Sequence, residues 1–335
     1  QGKYESAFYL PVWVMIDKGD KKRRFSYALD IKPFLDYSSF TITDAVIKRL
    51  NDSFSAETKE RQSIIVTLDA ESKVATKYEN SEVNGTEEIN IDYLTRRYAE
   101  LTENAFYARK LAVSHTETLI TSIGKAHVEE NFGYISAFLY NLLSEVKLKE
   151  EESLFLSYLN SNKIVLAVSN DDELGFRIPN EDNIVVGRMP NPYKYYLFED
   201  VDLASMNSLE QKIGDILDKQ ERILWWFRNK VSRNGYSIQG WQEYKLRPDF
   251  VAAKKNNQDE LELVYILESK GEHLAGNADT VYKQKVLNIM TEQKKKKAIH
   301  HYEQMGLPFG QVNDNVTFYL VEQGKEEEEL KKYFK

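Results

Sequence analysis

The chain has 335 residues, a length that favours two domains over a single core. It contains no cysteine, which excludes disulfides, zinc fingers and thiol catalysis and is compatible with a cytoplasmic location. Its net charge is −8, and because residues 201–335 hold 21 Lys+Arg against 21 Asp+Glu, the excess of acid (32 against 24) lies in residues 1–200. This balance excludes the strongly basic surface of a free-standing DNA binder.

The first half of the chain combines strand-like and helical patterns, judged from aromatic and β-branched runs and from apolar spacing of three and four. The predicted elements in chain order are a strand (7–16), a turn (17–20), an extended segment (24–31), two strands (63–68 and 74–78), helices between 91 and 146, and a charged run (147–153) that is a solvated helix end or a linker. The run 7–16 is far shorter than the roughly 18 residues of a membrane span, and no signal peptide is visible.

Residues 161–200 look irregular, and we place a domain boundary at residue 190. The remaining predicted elements are a helix (209–229) with its start at 205–208 (SMNS), strands (244–253 and 261–269), a helix (280–305), a strand (316–321) and an exposed charged tail (322–335). We expect an accessory α+β domain at 1–190 and an α/β domain at 191–335. Within the latter, Trp225, Trp226 and Phe227 favour core packing over base stacking.

Charged residues lie at one end of each of two predicted strands in the second domain. Asp249 stands at the start of the first strand. Glu268 and Lys270 share one face at the end of the second strand, which is otherwise apolar. Burying such charges is costly unless they face a cleft or a metal, and two carboxylates suit Mg²⁺. We expect Asp249 and Glu268 to hold the ion while Lys270 serves the attacking water or the charge on phosphorus. The alternative to this catalytic role is a purely structural cluster of salt bridges at the end of a strand.

The spacing Pro248-Asp249, eighteen residues, Glu268-Ser269-Lys270 resembles the PD-(D/E)xK nuclease signature. The wider region, roughly 190–310, is similar to the C-terminal endonuclease region of the restriction subunit of type III restriction enzymes and of related helicase–nuclease proteins. The matching segments, in order, are 206–210 (MNSLE), 225–229 (WWFRN), 247–250 (RPDF), 267–274 (LESKGEHL) and 279–280 (DT).

This resemblance implies a restriction-endonuclease-like mixed sheet flanked by helices. It also implies a third carboxylate on the helix before the first catalytic strand, for which Glu210 is our first choice and Glu221 the rival. The backbone carbonyl of Ser269 is a further metal ligand by the same analogy. Candidate DNA contacts are Arg228, Arg247, His273, Lys283 and Gln284. The alternative for the two arginines is pairing with nearby carboxylates, and the alternative for His273 is an ordinary loop position.

The expected function is a Mg²⁺-dependent DNA endonuclease, with Mn²⁺ as a substitute metal, in a restriction or phage-defence system. Family members carry an ATP-driven helicase motor, and this chain has no phosphate-binding loop of the Gly-x-x-x-x-Gly-Lys type. We therefore expect the chain to be a fragment, or the motor to be a partner chain, with a methyltransferase subunit as a further candidate partner. Two alternatives are a non-catalytic DNA-binding or assembly module with the same fold, and a scaffold whose acidic N-terminal domain binds a basic protein.

Overall fold

A computed structural model describes residues 8–57, 89–179, 189–230, 235–270, 278–303 and 315–335. The chain is mixed α and β and divides into two compact units, one of residues 1–31 with 155–335 and one of residues 32–154. This division differs from a boundary at residue 190, because the N-terminal strands belong to the same unit as the C-terminal region. The strand candidates at 63–68 and 74–78 lie outside the described residues.

The unit of residues 32–154 is helical in its described part. Its helices are α1 (Asp44–Glu57), α2 (Ile91–Thr102), α3 (Ala105–Ile123), α4 (Lys125–Glu130) and the first part of α5 (Phe132–Asn160). Their apolar faces form one core, in which Leu94, Tyr98 and Leu139 are fully buried. The helices predicted between 91 and 146 are present, and the charged run at 147–153, predicted as a solvated helix end or a linker, is helical and lies inside α5. Its charges do not interrupt the helix, because Lys147 and Glu151 lie one helical turn apart and face each other.

A four-stranded sheet carries the N-terminal strands of the other unit. Its order is β11-β4-β2-β3, formed by β2 (Val12–Ile16), β3 (Lys22–Arg24), β4 (Ile164–Ser169) and β11 (Ile299–Tyr302). The strand predicted at 7–16 is present, whereas the extended segment predicted at 24–31 is wrong beyond Arg24, because a π-helical turn occupies Tyr27–Ile31. Residues 161–200, predicted as irregular with short extended pieces, contain the six-residue strand β4, every residue of which is buried.

A second four-stranded sheet, of order β12-β10-β9-β8, carries the predicted site. Its strands are β8 (Ile223–Arg228), β9 (Phe250–Lys255), β10 (Leu261–Lys270) and β12 (Val316–Glu322). Strands β8, β9 and β10 are antiparallel neighbours, and β12 runs parallel to β10. The predicted helix at 209–229 is wrong after Asp218, because the apolar run that follows forms β8. Trp225, Trp226 and Phe227 lie in the core, as predicted.

Three helices accompany this sheet: α6 (Ser208–Asp218), α7 (Ala278–Lys295) and α8 (Glu326–Tyr333). The predicted helix at 280–305 ends at Lys295, and β11 follows. The tail predicted as exposed contains α8, in which Leu330 and Glu326 are buried; Lys212 of α6 lies 2.9 Å from the Glu326 carboxylate. Short strand pairs complete the unit: β1 (Tyr9–Leu10) with β5 (Phe176–Arg177), and β6 (Met189–Pro190) with β7 (Asp200–Val201).

None of the helices in these described ranges has the length and apolar character that a membrane span requires.

Candidate active site

The two carboxylates that the sequence paired, Asp249 and Glu268, meet at the end of neighbouring strands. Strands β9 and β10 are antiparallel, and the last paired positions are Phe250 and Leu267. Asp249 directly precedes β9, and Glu268 lies one residue beyond the last pair on β10. The charge of Asp249 raises the pKa of Glu268, so the two carboxylates are close enough to interact.

Hydrogen bonds hold the Asp249 carboxylate in place from the β10 side. The backbone N–H of Ser269 donates to Asp249 Oδ2 at 2.7 Å, and the Ser269 hydroxyl donates to the same oxygen at 2.5 Å. On the other side, the Asn229 N–H donates to the Asp249 carbonyl, and its side-chain amide donates to the carbonyl of Pro248. These contacts fix the start of β9 and orient the carboxylate. No donor in the described part of the chain reaches Asp249 Oδ1.

Glu268 is 6% exposed and faces one lysine. Lys283 of α7 lies 3.0 Å from Glu268 Oε1 and 3.1 Å from Asp279, one turn earlier on the same helix. The second oxygen, Glu268 Oε2, is buried and has no hydrogen-bond partner among the described residues. An unsatisfied buried carboxylate oxygen is costly, and such atoms in native structures call for an explanation such as a missing ion or water.

Burial makes both carboxylates harder to ionise. Burial raises the pKa of Glu268 to about 8, the charge of Asp249 adds to this effect, and Lys283 opposes it. The pKa of Asp249 is also raised by burial, against the hydrogen bonds from Ser269, and the charge of Glu210 contributes to the increase. Among the described residues one lysine, Lys283, serves both of these carboxylates and also Asp279, so the local charge is negative. A divalent cation would supply the missing positive charge.

Glu210 is buried on α6 beside this pair, but both of its oxygens are engaged. It forms a reciprocal capping box with Asn207, in which each residue's backbone N–H donates to the other's side chain. The Arg228 guanidinium lies 3.0 Å from Glu210 Oε1 and also donates to Ser205. These bonds stabilise the start of α6 and its contact with β8. The rival, Glu221, is exposed and lies beyond the end of α6, so it does not share a helix face with Glu210.

Among the described residues, no group of three or more His, Cys, Asp and Glu side chains is close enough to hold a metal ion. The geometry therefore brings together Asp249, Glu268 and Ser269, with Lys283 beside them. It leaves Glu210 paired with arginine rather than turned toward the other two carboxylates.

The remaining predicted site residues have different surroundings. Lys270 is the last residue of β10, two positions after Glu268, and its backbone pairs with Glu322. His273 lies outside the described residues. Gln284 is exposed on α7, and Arg228 is the partner of Glu210, whereas Arg247 makes no ion pair in the described part of the chain.

The contacts of two residues at the candidate site, Lys283 and Asn229, could not be predicted from the sequence. Lys283 was expected to contact DNA, and its pairing with Glu268 was not foreseen because the packing of α7 on the sheet cannot be deduced from spacing. Asn229 was seen only as part of a matching segment, although its amide positions the strand that begins at Asp249. A buried asparagine that directly follows an aromatic strand could have been a signal for such a role.

A comparison of the chain with protein-family models, with curated proteins and with solved structures gives no match.

Proposed function

We propose that this chain is a Mg²⁺-dependent DNA endonuclease that hydrolyses phosphodiester bonds as part of a restriction or phage-defence helicase–nuclease. The observation that carries the proposal is that Asp249, just before β9, and Glu268, near the end of β10, are close enough for the charge of Asp249 to raise the pKa of Glu268. Each has one oxygen without a donor in the described structure, and burial raises the pKa of both. In a purely structural cluster of ion pairs, we expect every carboxylate oxygen to have a donor and neighbouring cations to lower the carboxylate pKa values.

The residues fit a hard divalent cation. Asp249 Oδ1, Glu268 Oε2 and the carbonyl of Ser269 are oxygen ligands of the kind that Mg²⁺ takes, and Mg²⁺ keeps several waters in such sites. Lys283 binds the other oxygen of Glu268, so it can orient that carboxylate and leave Oε2 open. Mn²⁺, with similar ligand preferences, is the expected substitute. Glu210 stays a predicted third ligand that Arg228 would have to release.

When bound, the ion would polarise the scissile phosphate and lower the pKa of a coordinated water. The Ser269 N–H and hydroxyl would keep Asp249 oriented during this reaction. Lys270 is proposed to orient the attacking water or to stabilise the negative charge that develops on phosphorus. We propose a restriction-endonuclease-like fold for this region, and the mixed sheet with α6 and α7 against it supports that assignment.

A plasmid cleavage assay tests the proposal. Wild-type protein with Mg²⁺ should cut supercoiled DNA, and Asp249→Asn and Glu268→Gln should fall to background. Glu328→Gln, at an exposed glutamate of α8, is the matched control and should cut normally. Calorimetric titration with Mg²⁺ accompanies the assay, since a nuclease that needs a motor still binds metal. Cleavage that survives Asp249→Asn, or a wild-type chain that binds no metal, contradicts the proposal.

A second candidate is a non-catalytic DNA-binding or assembly module that retains the nuclease fold. The pairing of Glu210 with Arg228 and of Glu268 with Lys283 favours it, because each cation already neutralises a carboxylate. This candidate requires DNA binding without Mg²⁺ binding. The same titration therefore distinguishes the two functions.

A further inference from the structure

Three cationic side chains from two segments lie near one another in the unit that holds the candidate active site. Arg24 ends β3, while Lys245 and Arg247 flank Leu246, which pairs with Ile238 across a short hairpin. Partial desolvation of the exposed Lys245 side chain lowers its pKa, and the positive charges of Arg24 and Arg247 lower it further. We call Arg24, Lys245 and Arg247 the cationic cluster.

Aromatic packing fixes the backbone beneath the cationic cluster. Trp241, within the hairpin, is buried, and its ring centroid lies 5.4 Å from that of Phe155. Phe25, which follows Arg24, lies 5.4 Å from the same ring. Both segments therefore pack on one buried phenylalanine. This shared packing fixes the two backbone segments that carry the three charges.

Arg24 is held by neutral oxygens. Its Nη2 donates to the carbonyl of Gly175 and, at 3.2 Å, to that of Asp172. The carboxylates of Asp171 and Asp172 also lie near enough to favour its charged form, although burial, the larger effect, lowers its pKa. These carboxylates offset part of one charge in the cationic cluster, and they form no ion pair with Arg24 among the described residues.

Lys245 and Arg247 have no such compensation. Neither side chain makes an ion pair or a hydrogen bond within the described ranges, and the Nε of Arg247 is buried without an acceptor. Arg228 and Lys283, by contrast, are both paired with buried carboxylates. Like charges held together without a counter-ion repel one another, and a buried guanidinium N–H without an acceptor is costly. An anion placed between them would remove both costs.

We propose that the cationic cluster binds phosphates of the DNA backbone next to the candidate active site. Arg247 lies two residues before Asp249, so a phosphate held there places the duplex at the mouth of the carboxylate pair. Arginine binds phosphate through its forked N–H groups, and lysine adds a point charge. This inference rests on the proposed function for its choice of DNA as the anion. It also assigns Arg24, from the region expected to be an accessory domain, to substrate binding.

Fluorescence anisotropy with a labelled duplex, in the presence of a chelator, tests the cationic cluster without any cleavage. The variants are Lys245→Gln and Arg247→Gln, and the matched control is Lys332→Gln, at an exposed lysine of α8. Each phosphate contact contributes about 0.9 to the slope of log affinity against log salt concentration. Each single variant should reduce that slope by about 0.9, and the double variant by about twice as much. The control should leave it unchanged.

Lys245 is exposed, so its variant keeps the test valid if Arg247→Gln fails to fold. Equal slopes for wild type, Lys245→Gln and the control overturn the inference, and so does a wild-type chain that binds no duplex. Weaker binding with normal slope also overturns it, since loss of a phosphate contact must change the salt dependence. Reduced slopes in a chain that binds no Mg²⁺ would support the cationic cluster and contradict the proposed catalysis, so the two failures are distinguishable.

Discussion

Replacing Glu268 by glutamine should change how the stability of the protein depends on pH. In the folded chain the pKa of Glu268 is raised from 4.5 to about 8, first by burial and then by Asp249. Between these values the folded state holds a proton that the unfolded state has released, so the free energy of unfolding falls as pH rises. At about 1.4 kcal/mol per pKa unit, the difference corresponds to about 5 kcal/mol.

Urea unfolding followed by tryptophan fluorescence, at a series of pH values in a chelator, measures this effect. Trp225 and Trp226 are buried in the same sheet, so their emission reports its unfolding. Wild type should lose up to about 5 kcal/mol relative to Glu268→Gln as pH rises from 4.5 to about 8, and most of the loss should precede pH 8. Glu328→Gln should follow the wild-type curve, because its glutamate is exposed.

Adding Mg²⁺ gives a second check on the same variant. An ion at the carboxylate pair favours the ionised form of Glu268 and binds the folded state, so it should flatten the wild-type curve and raise its high-pH end. Glu268→Gln should respond weakly. If wild type and Glu268→Gln give parallel curves across the whole range without metal, Glu268 is not a buried, desolvated carboxylate and the reasoning fails.

Three further changes test the surroundings of the site by equilibrium unfolding. Arg228→Ala should cost about 3 kcal/mol, because it leaves the buried Glu210 carboxylate unpaired, and a cost near zero would contradict the pairing. Asn207→Ala should cost about 1 kcal/mol by removing the cap of α6, whereas Asn207→Ser should restore most of it. Gly175→Ala should destabilise the protein strongly, since the added Cβ would lie 1.9 Å from the Ser169 carbonyl oxygen; a melting temperature equal to that of wild type would contradict this close approach.

Local signals predicted some elements of the fold and missed others. The run Ser205-Met206-Asn207-Ser208 predicts a helix start, and α6 begins at Ser208 with Asn207 as its N-cap. The same helix was extended too far, because the run Ile223–Arg228 is apolar at helical spacing as well as continuously apolar. Only its aromatic content and its burial on both sides distinguish a strand in such a run. Likewise Glu326 looks solvated in a run of four glutamates, yet packing against α6 buries it.

The sequence likewise predicts some parts of the candidate site and misses others. The spacing predicts Pro248-Asp249 and Glu268-Ser269-Lys270, and the antiparallel pairing of β9 with β10 follows from the short connection between them. The partners of the charges could not be found in this way. That Lys283 pairs with Glu268 depends on how α7 packs on the sheet. That the charge of Arg24 acts on Lys245 depends on contacts between residues more than two hundred positions apart, which no local pattern encodes.

Anomalous diffraction from crystals soaked in Mn²⁺ tests the central claim most directly. We expect one manganese peak between Asp249 and Glu268, with carboxylate oxygens at about 2.1 Å, the distance typical of such ions. The ion should bind Glu268 Oε2 while Lys283 remains on Oε1. A well-ordered carboxylate pair with no manganese beside it, at saturating Mn²⁺ concentration, would contradict the proposed metal-dependent nuclease.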